Sequence, residues 1–86
     1  MAQYSIQILP SAERDLAALG KPLRRRVAAR IDALAANPRP SGVKKLQGSA
    51  DTWRLRVGDY RVLYEIRDRQ LLVLVVKIGH RREIYR

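Results

Sequence analysis

Polar and apolar residues alternate along two stretches of this chain, and between them apolar residues recur at helical spacing. Tyr4, Ile6 and Ile8 alternate with Ser5 and Gln7, which predicts a short first strand ended by Pro10. Ser11 is placed to cap a helix, Glu13 and Asp15 suit its positive end, Leu16 and Leu19 give it an apolar side, and Gly20 would stop it. Lys21-Pro22 opens a second helix with Pro22 at the first helical position, and Leu23, Val27, Ile31 and Leu34 mark its buried face before Asn37-Pro38 closes it. After the loop Arg39-Pro40-Ser41-Gly42, residues 43–46 read as a short edge strand or extended segment ending at Gly48. Residues 52–57 and 60–67 read as a hairpin. Residues 71–78 are apolar on both faces, as a central strand would be when helices cover one side and the other is partly covered. Helices early and strands late predict an α+β fold, with a single domain spanning residues 1–86.

The hairpin carries the most detail. Gly58-Asp59 predicts a two-residue type II′ turn, which pairs Val57 with Tyr60 and Arg56 with Arg61. Trp53, Leu55, Val57, Tyr60, Val62, Tyr64 and Ile66 then share an apolar face, and Arg54, Arg56, Arg61, Leu63, Glu65 and Arg67 share the other. At about 5 Å and an effective dielectric of about 20, the Arg56–Arg61 repulsion is roughly 3 kcal/mol, falling to a few tenths once both side chains splay into water. Solvated arginines across a hairpin are common in basic proteins. Several guanidiniums on one rigid sheet face, with the opposite face apolar, are better matched to phosphate oxygens.

Composition narrows the partners. The chain has 86 residues, so folding buries only about 60% of the surface its unfolded form exposes, and a partner can add stability. Its 18 Lys and Arg against 8 Asp and Glu leave a net charge of +10, pointing to nucleic acid or an acidic protein. Arg24, Arg25, Arg26 and Arg30 on the second helix read first as a solvated face and second as a partner surface. The longest apolar run, residues 71–76, is too short to span a bilayer, and the N-terminus lacks the charged and apolar regions of a signal peptide, so no membrane role and a cytoplasmic location are expected. Without cysteine there is no thiol nucleophile, and a lone histidine excludes a His/Cys zinc site. No glycine-rich phosphate loop occurs.

The ordered set of Lys44-Lys45-Leu46-x-Gly48, Trp53-Arg54-Leu55-Arg56, Gly58-Asp59-Tyr60-Arg61-Val62-Leu63-Tyr64 and Gly79-His80-Arg81-Arg82-Glu83-Ile84-Tyr85 resembles the RelE/ParE toxin superfamily of type II toxin-antitoxin systems over essentially the whole chain. The resemblance implies an N-terminal strand and two helices packed on a mainly antiparallel sheet of four to five strands. It also implies a cognate antitoxin, with operator DNA reached only through it. Members of the RelE branch cut messenger RNA on the ribosome without a cofactor; members of the ParE branch inhibit DNA gyrase. A chain that has lost toxicity and survives as an antitoxin-bound corepressor is a third possibility.

Three positions favour the RelE branch. By resemblance Arg61 holds the scissile phosphate, Arg81 stabilises developing charge and assists the leaving 5′ oxygen, and Tyr85 stacks on or orients a base. Lys44, Lys45, Arg54 and Arg82 are further RNA contacts, although edge lysines also serve to prevent strand pairing. Arg54 and Arg56 depart from the pattern, because members can carry lysines there and arginine stays protonated. His80 is the first candidate for the missing proton acceptor, with Glu65 and Lys77 behind it, although a lone histidine is more often structural. Trp53 and Tyr64 are expected in the core.

Overall fold

A computed structural model describes residues 3–48 and 51–84. Five strands form one sheet, β1 (Ser5–Ile8), β2 (Lys44–Lys45), β3 (Thr52–Val57), β4 (Tyr60–Arg67) and β5 (Leu72–His80), in the order β1-β5-β4-β3-β2. β1 runs parallel to β5 and every other pairing is antiparallel. The helices α1 (Pro10–Ala17) and α2 (Lys21–Ala33) separate β1 from the rest in sequence, which gives β1 room to return beside β5 in parallel.

Local signals set the helix ends, in places one residue from the expected ones. Pro10 opens α1 with Leu9 at the cap position, so Ser11 lies inside the helix and makes no cap bond. Gly20 does not stop α1, which ends at Ala17; it caps α2, and its carbonyl accepts the Arg24 N–H at 2.8 Å. Pro22 is the second residue of α2.

One face of the sheet is the core. Ala12, Val27, Ile31 and Leu34 from the helical layer meet Leu55, Val57, Val62, Tyr64, Ile66, Val73, Val75 and Ile78, with Trp53 partly buried against them. Tyr64 is fully enclosed, and its hydroxyl donates to the Pro38 carbonyl at 2.7 Å. Burial pushes its phenol up to about 12. At the end of the sheet away from the hairpin tip, Arg39 grips Asp68 through both carboxylate oxygens at 2.9 and 3.2 Å. Tyr4 donates to Asp68 at 2.6 Å, and Arg39 lies 5.3 Å over the Trp53 ring. The Arg39 hydrogen bonds, then that of Tyr4, hold the Asp68 carboxyl below the usual carboxylate range.

β5 breaks its own alternation. Val73 pairs with Ile66 and Val75 with Tyr64, both toward the core, but the register then slips and Lys77 pairs with Leu63 and Ile78 with Val62. Val76 is the extra residue of a β-bulge. Strict alternation from Val73 and Val75 would aim Lys77 into the core and His80 at the opposite face. The bulge exchanges them.

Candidate nucleic-acid interface

Two cross-strand rows build the face away from the helices. In one, Lys44, Arg54, Leu63 and Lys77 stand opposite one another across β2, β3, β4 and β5; in the other, Arg56, Arg61 and Gly79 do so. Residues two apart on a strand share a face, so Arg54 joins Arg56, Leu63 joins Arg61 and Lys77 joins Gly79. The hairpin has the expected register, and its turn has Gly58 at φ 59° while Asp59 keeps a negative φ, as type II′ requires.

Leu63 is only 8% exposed although it lies outside the main core cluster. Ile84, at 3%, is likewise buried outside that cluster. A Cβ on Gly79 would point to this face and meet Ile84 Cδ1 at 3.1 Å, so a missing side chain is what lets Ile84 lie against the sheet opposite Arg61. The face therefore has an apolar floor, Leu63 and Ile84, among the cations Arg54, Arg56, Arg61 and Lys77. That floor has almost no exposed surface and serves to support the cations, which suit the phosphates of a nucleic acid.

The hairpin tip gathers two arginines twenty positions apart in sequence. Arg61 Nη1 donates to the carbonyls of Gly58 at 3.2 Å and Tyr60 at 3.0 Å, which fixes the guanidinium and relieves its repulsion with Arg56. Arg81 reaches the same turn: its N–H donates to the Asp59 carbonyl at 2.8 Å and its Nε lies 4.0 Å from Asp59 Oδ1. The C-terminal turn is closed by the N–H groups of Glu83 and Ile84, both donating to the His80 carbonyl at 2.8 and 3.0 Å. Neither Arg56 nor Arg61 has a carboxylate partner among the described residues, whereas Glu65, on the same face, is drawn to Arg67 at 2.8 Å. Two guanidiniums without a carboxylate partner on a fixed scaffold suit an anion.

Not every candidate arrives here. His80 pairs with Tyr60 on the helix side of the sheet, its ring edge-on to the tyrosine with centroids 5.5 Å apart, and its Nδ1 accepts the Arg82 N–H at 3.2 Å. This corrects the expectation that its place beside Arg81 brings it to the arginines: neighbours on a strand point to opposite faces. Lys45 pairs with Trp53 and likewise faces away from Lys44 and Arg54, although both lysines line an open recess of about 380 Å³ with Leu46, Gln47 and Arg54 at the β2 edge. Arg82 is exposed on the C-terminal turn. Tyr85 lies outside the described residues. Lys77, ranked behind His80 from sequence, stands on the face itself. The burial of Ile84 escaped sequence reasoning; a glycine ending an apolar run five residues before an isoleucine is its only local trace.

Comparison with known proteins agrees with the fold. The family model for the ParE toxin of the type II toxin-antitoxin system parDE matches residues 6–85. Toxin RelG of Mycobacterium tuberculosis is 32% identical over 84 residues, covering 96% of this chain and 97% of the relative. The archaeal RelE-RelB complex from Pyrococcus horikoshii contains a chain that superposes with a TM-score of 0.83 at 30% identity, covering 94% of this chain and 98% of that one. The RelBE2 toxin-antitoxin complex of Mycobacterium tuberculosis gives 0.81 at 28% identity, over 92% and 99%. With the model match spanning nearly the whole sequence and RelE chains sharing its architecture, this chain belongs to the RelE/ParE superfamily of type II toxin-antitoxin toxins and is RelE-like.

Proposed function

We propose that this toxin is a ribosome-dependent endoribonuclease that cuts messenger RNA by attack of a 2′-hydroxyl on the adjacent phosphate, so inhibiting translation. The observation that carries it is the arginine face: Arg54, Arg56 and Arg61 around an apolar floor, with Arg81 held at the same hairpin tip. Attack by the 2′-oxygen breaks the bond from phosphorus to the 5′-oxygen and leaves a 2′,3′-cyclic phosphate. It needs in-line alignment and cationic support for the pentacoordinate transition state. Arg56 and Arg61 would hold the non-bridging oxygens, Arg54 and Lys44 the neighbouring phosphates, and Arg81 the charge developing on the departing 5′-oxygen. Tyr85 would orient a base, and Arg82 would add a phosphate contact.

RelE chains have been solved in complex with RelB antitoxins, and the net charge of +10 suits an acidic partner here. A cognate antitoxin laid over the arginine face would silence it, act with the toxin at operator DNA, and stabilise this small core by mass action. The activity belongs in the cytoplasm; no described helix is long and apolar enough to cross a membrane. One observation favours a second function, gyrase inhibition: the matching family model is that of the ParE toxin. The test is expression of Arg61→Ala and Arg81→Ala. Each should abolish growth arrest with an unchanged circular dichroism spectrum, and folded variants as toxic as the parent would refute the site.

A further inference from the structure

We propose that Lys77 is the proton acceptor of the cleavage, a role that rests on the endoribonuclease reading above. The reaction must move the 2′-hydroxyl proton, and a guanidinium cannot take it. Candidate acceptors near the arginines in sequence are Lys44, Lys45, Asp59, Glu65, Lys77, His80 and Glu83; of these, Asp59 faces the Arg81 guanidinium at 4.0 Å and Glu83 lies exposed on the C-terminal turn beyond the sheet. His80 and Lys45 face the helix side. Glu65 is tied to Arg67, and Lys44 sits on β2, two strands away from Arg61. Lys77 remains, exposed on the face, its side chain with no hydrogen bond or ion pair among the described residues.

Its position is built rather than incidental. Lys77 is the diagonal neighbour of Arg61 across β4 and β5, a relation that places Cβ atoms roughly 7 Å apart, so ammonium and guanidinium can reach one phosphodiester. The bulge at Val76 is what turns it to this face, and bulges recur where a strand must re-aim a side chain beside a site. The slot directly opposite Arg61 has no side chain of its own, being Gly79, and Ile84 packs into it beside the diagonal.

In the step, the neutral amine of Lys77 takes the proton from the 2′-hydroxyl as the 2′-oxygen bonds to phosphorus. The bond to the 5′-oxygen breaks, and that oxygen takes a proton from water. The charged groups sharing the face of Lys77 are Arg61 and Glu65 on β4 and Arg54 and Arg56 on β3; Glu13, Arg14 and Asp15 belong to α1, which packs against β5 from the other side of the sheet, and Arg81, Arg82 and Glu83 lie on the C-terminal turn.

The experiment is single-turnover cleavage on programmed ribosomes across pH, with ribosome affinity measured in parallel. Lys77→Gln should lose about 10²-fold or more in rate and flatten the rise of rate with pH, while binding within a few-fold of the parent. Lys77→Arg should be as impaired, because its charge is kept but cannot be released. His80→Ala should retain the parent's pH profile. A Lys77→Arg variant with the parent's rate and profile would show that only the charge matters and overturn the proposal. So would a pH limb lost in His80→Ala and kept in Lys77→Gln. Arg61→Ala separates the two levels: an inactive Arg61→Ala beside a fully active Lys77→Gln removes Lys77 alone, and a parent that cuts nothing on ribosomes removes both.

Discussion

Gly79→Ala tests the seating of the C-terminal turn on the arginine face. The new methyl would lie 3.1 Å from Ile84 Cδ1, whereas carbon atoms rest at about 3.5–4.0 Å, so one group must yield by several tenths of an ångström. Overpacking of this kind costs roughly 1–3 kcal/mol. Ile84 can instead swing out, and losing its burial costs about 1.5–3 kcal/mol, which caps the penalty. Stiffening the unfolded chain returns about 0.4–1 kcal/mol, since Gly79 does not use a positive φ. The net expectation is a loss of about 1 kcal/mol, or roughly 4–8 °C in melting temperature for a domain of this size. Urea unfolding measures it, and amide exchange reports where it acts: the Arg81 and Ile84 N–H groups, held by Asp59 and His80, should lose protection. In a double-mutant cycle Gly79→Ala should do almost nothing once Ile84→Ala has removed the obstacle. Equal stability and unchanged protection in Gly79→Ala, or penalties that simply add, would refute the docking of Ile84 on Gly79.

Tyr64→Phe should destabilise by about 1–3 kcal/mol at neutral pH, because the Pro38 carbonyl is left without its buried donor; urea midpoints measure it. The parent's Tyr64 contribution is full below the ordinary phenol range near pH 10 and fades as pH climbs toward about 12, so the variant should lack that alkaline decline. Asp68→Asn should melt lower at neutral pH. The clamp lowers the carboxyl's folded value, so its stabilisation is present above the usual carboxylate range near pH 4 and is lost as pH falls further, and the two melting curves should converge in acid.

The hairpin was legible because period-two alternation and a Gly-Asp turn leave a single register: Arg56 opposite Arg61, Leu55 and Tyr64 inside. Helix faces followed from Val27, Ile31 and Leu34 for the same reason. What the residues did not disclose is the bulge. Residues 71–76 are apolar throughout, so nothing in their pattern marks Val76 as the extra one, and parity counted from either end gives a different face to Lys77 and His80. The ladder with β4 decides it, since Tyr64 and Val62 both need apolar partners and Val75 and Ile78 supply them three residues apart. Adjacency to Arg81 made His80 attractive, yet adjacency along a strand is what sends two side chains to opposite sides. Ile84 was hidden differently: its partner is the absent side chain of Gly79, a contact with no pattern to read.

Everything proposed for this toxin depends on the arginine face cutting RNA. Purified toxin added to ribosomes translating a defined message, followed by primer extension, tests it directly, with a gyrase supercoiling assay run on the same preparation. New 5′ ends should appear within the coding region and vanish with Arg61→Ala, and supercoiling should be undisturbed. An intact message beside inhibited gyrase would contradict RNA cleavage by this face.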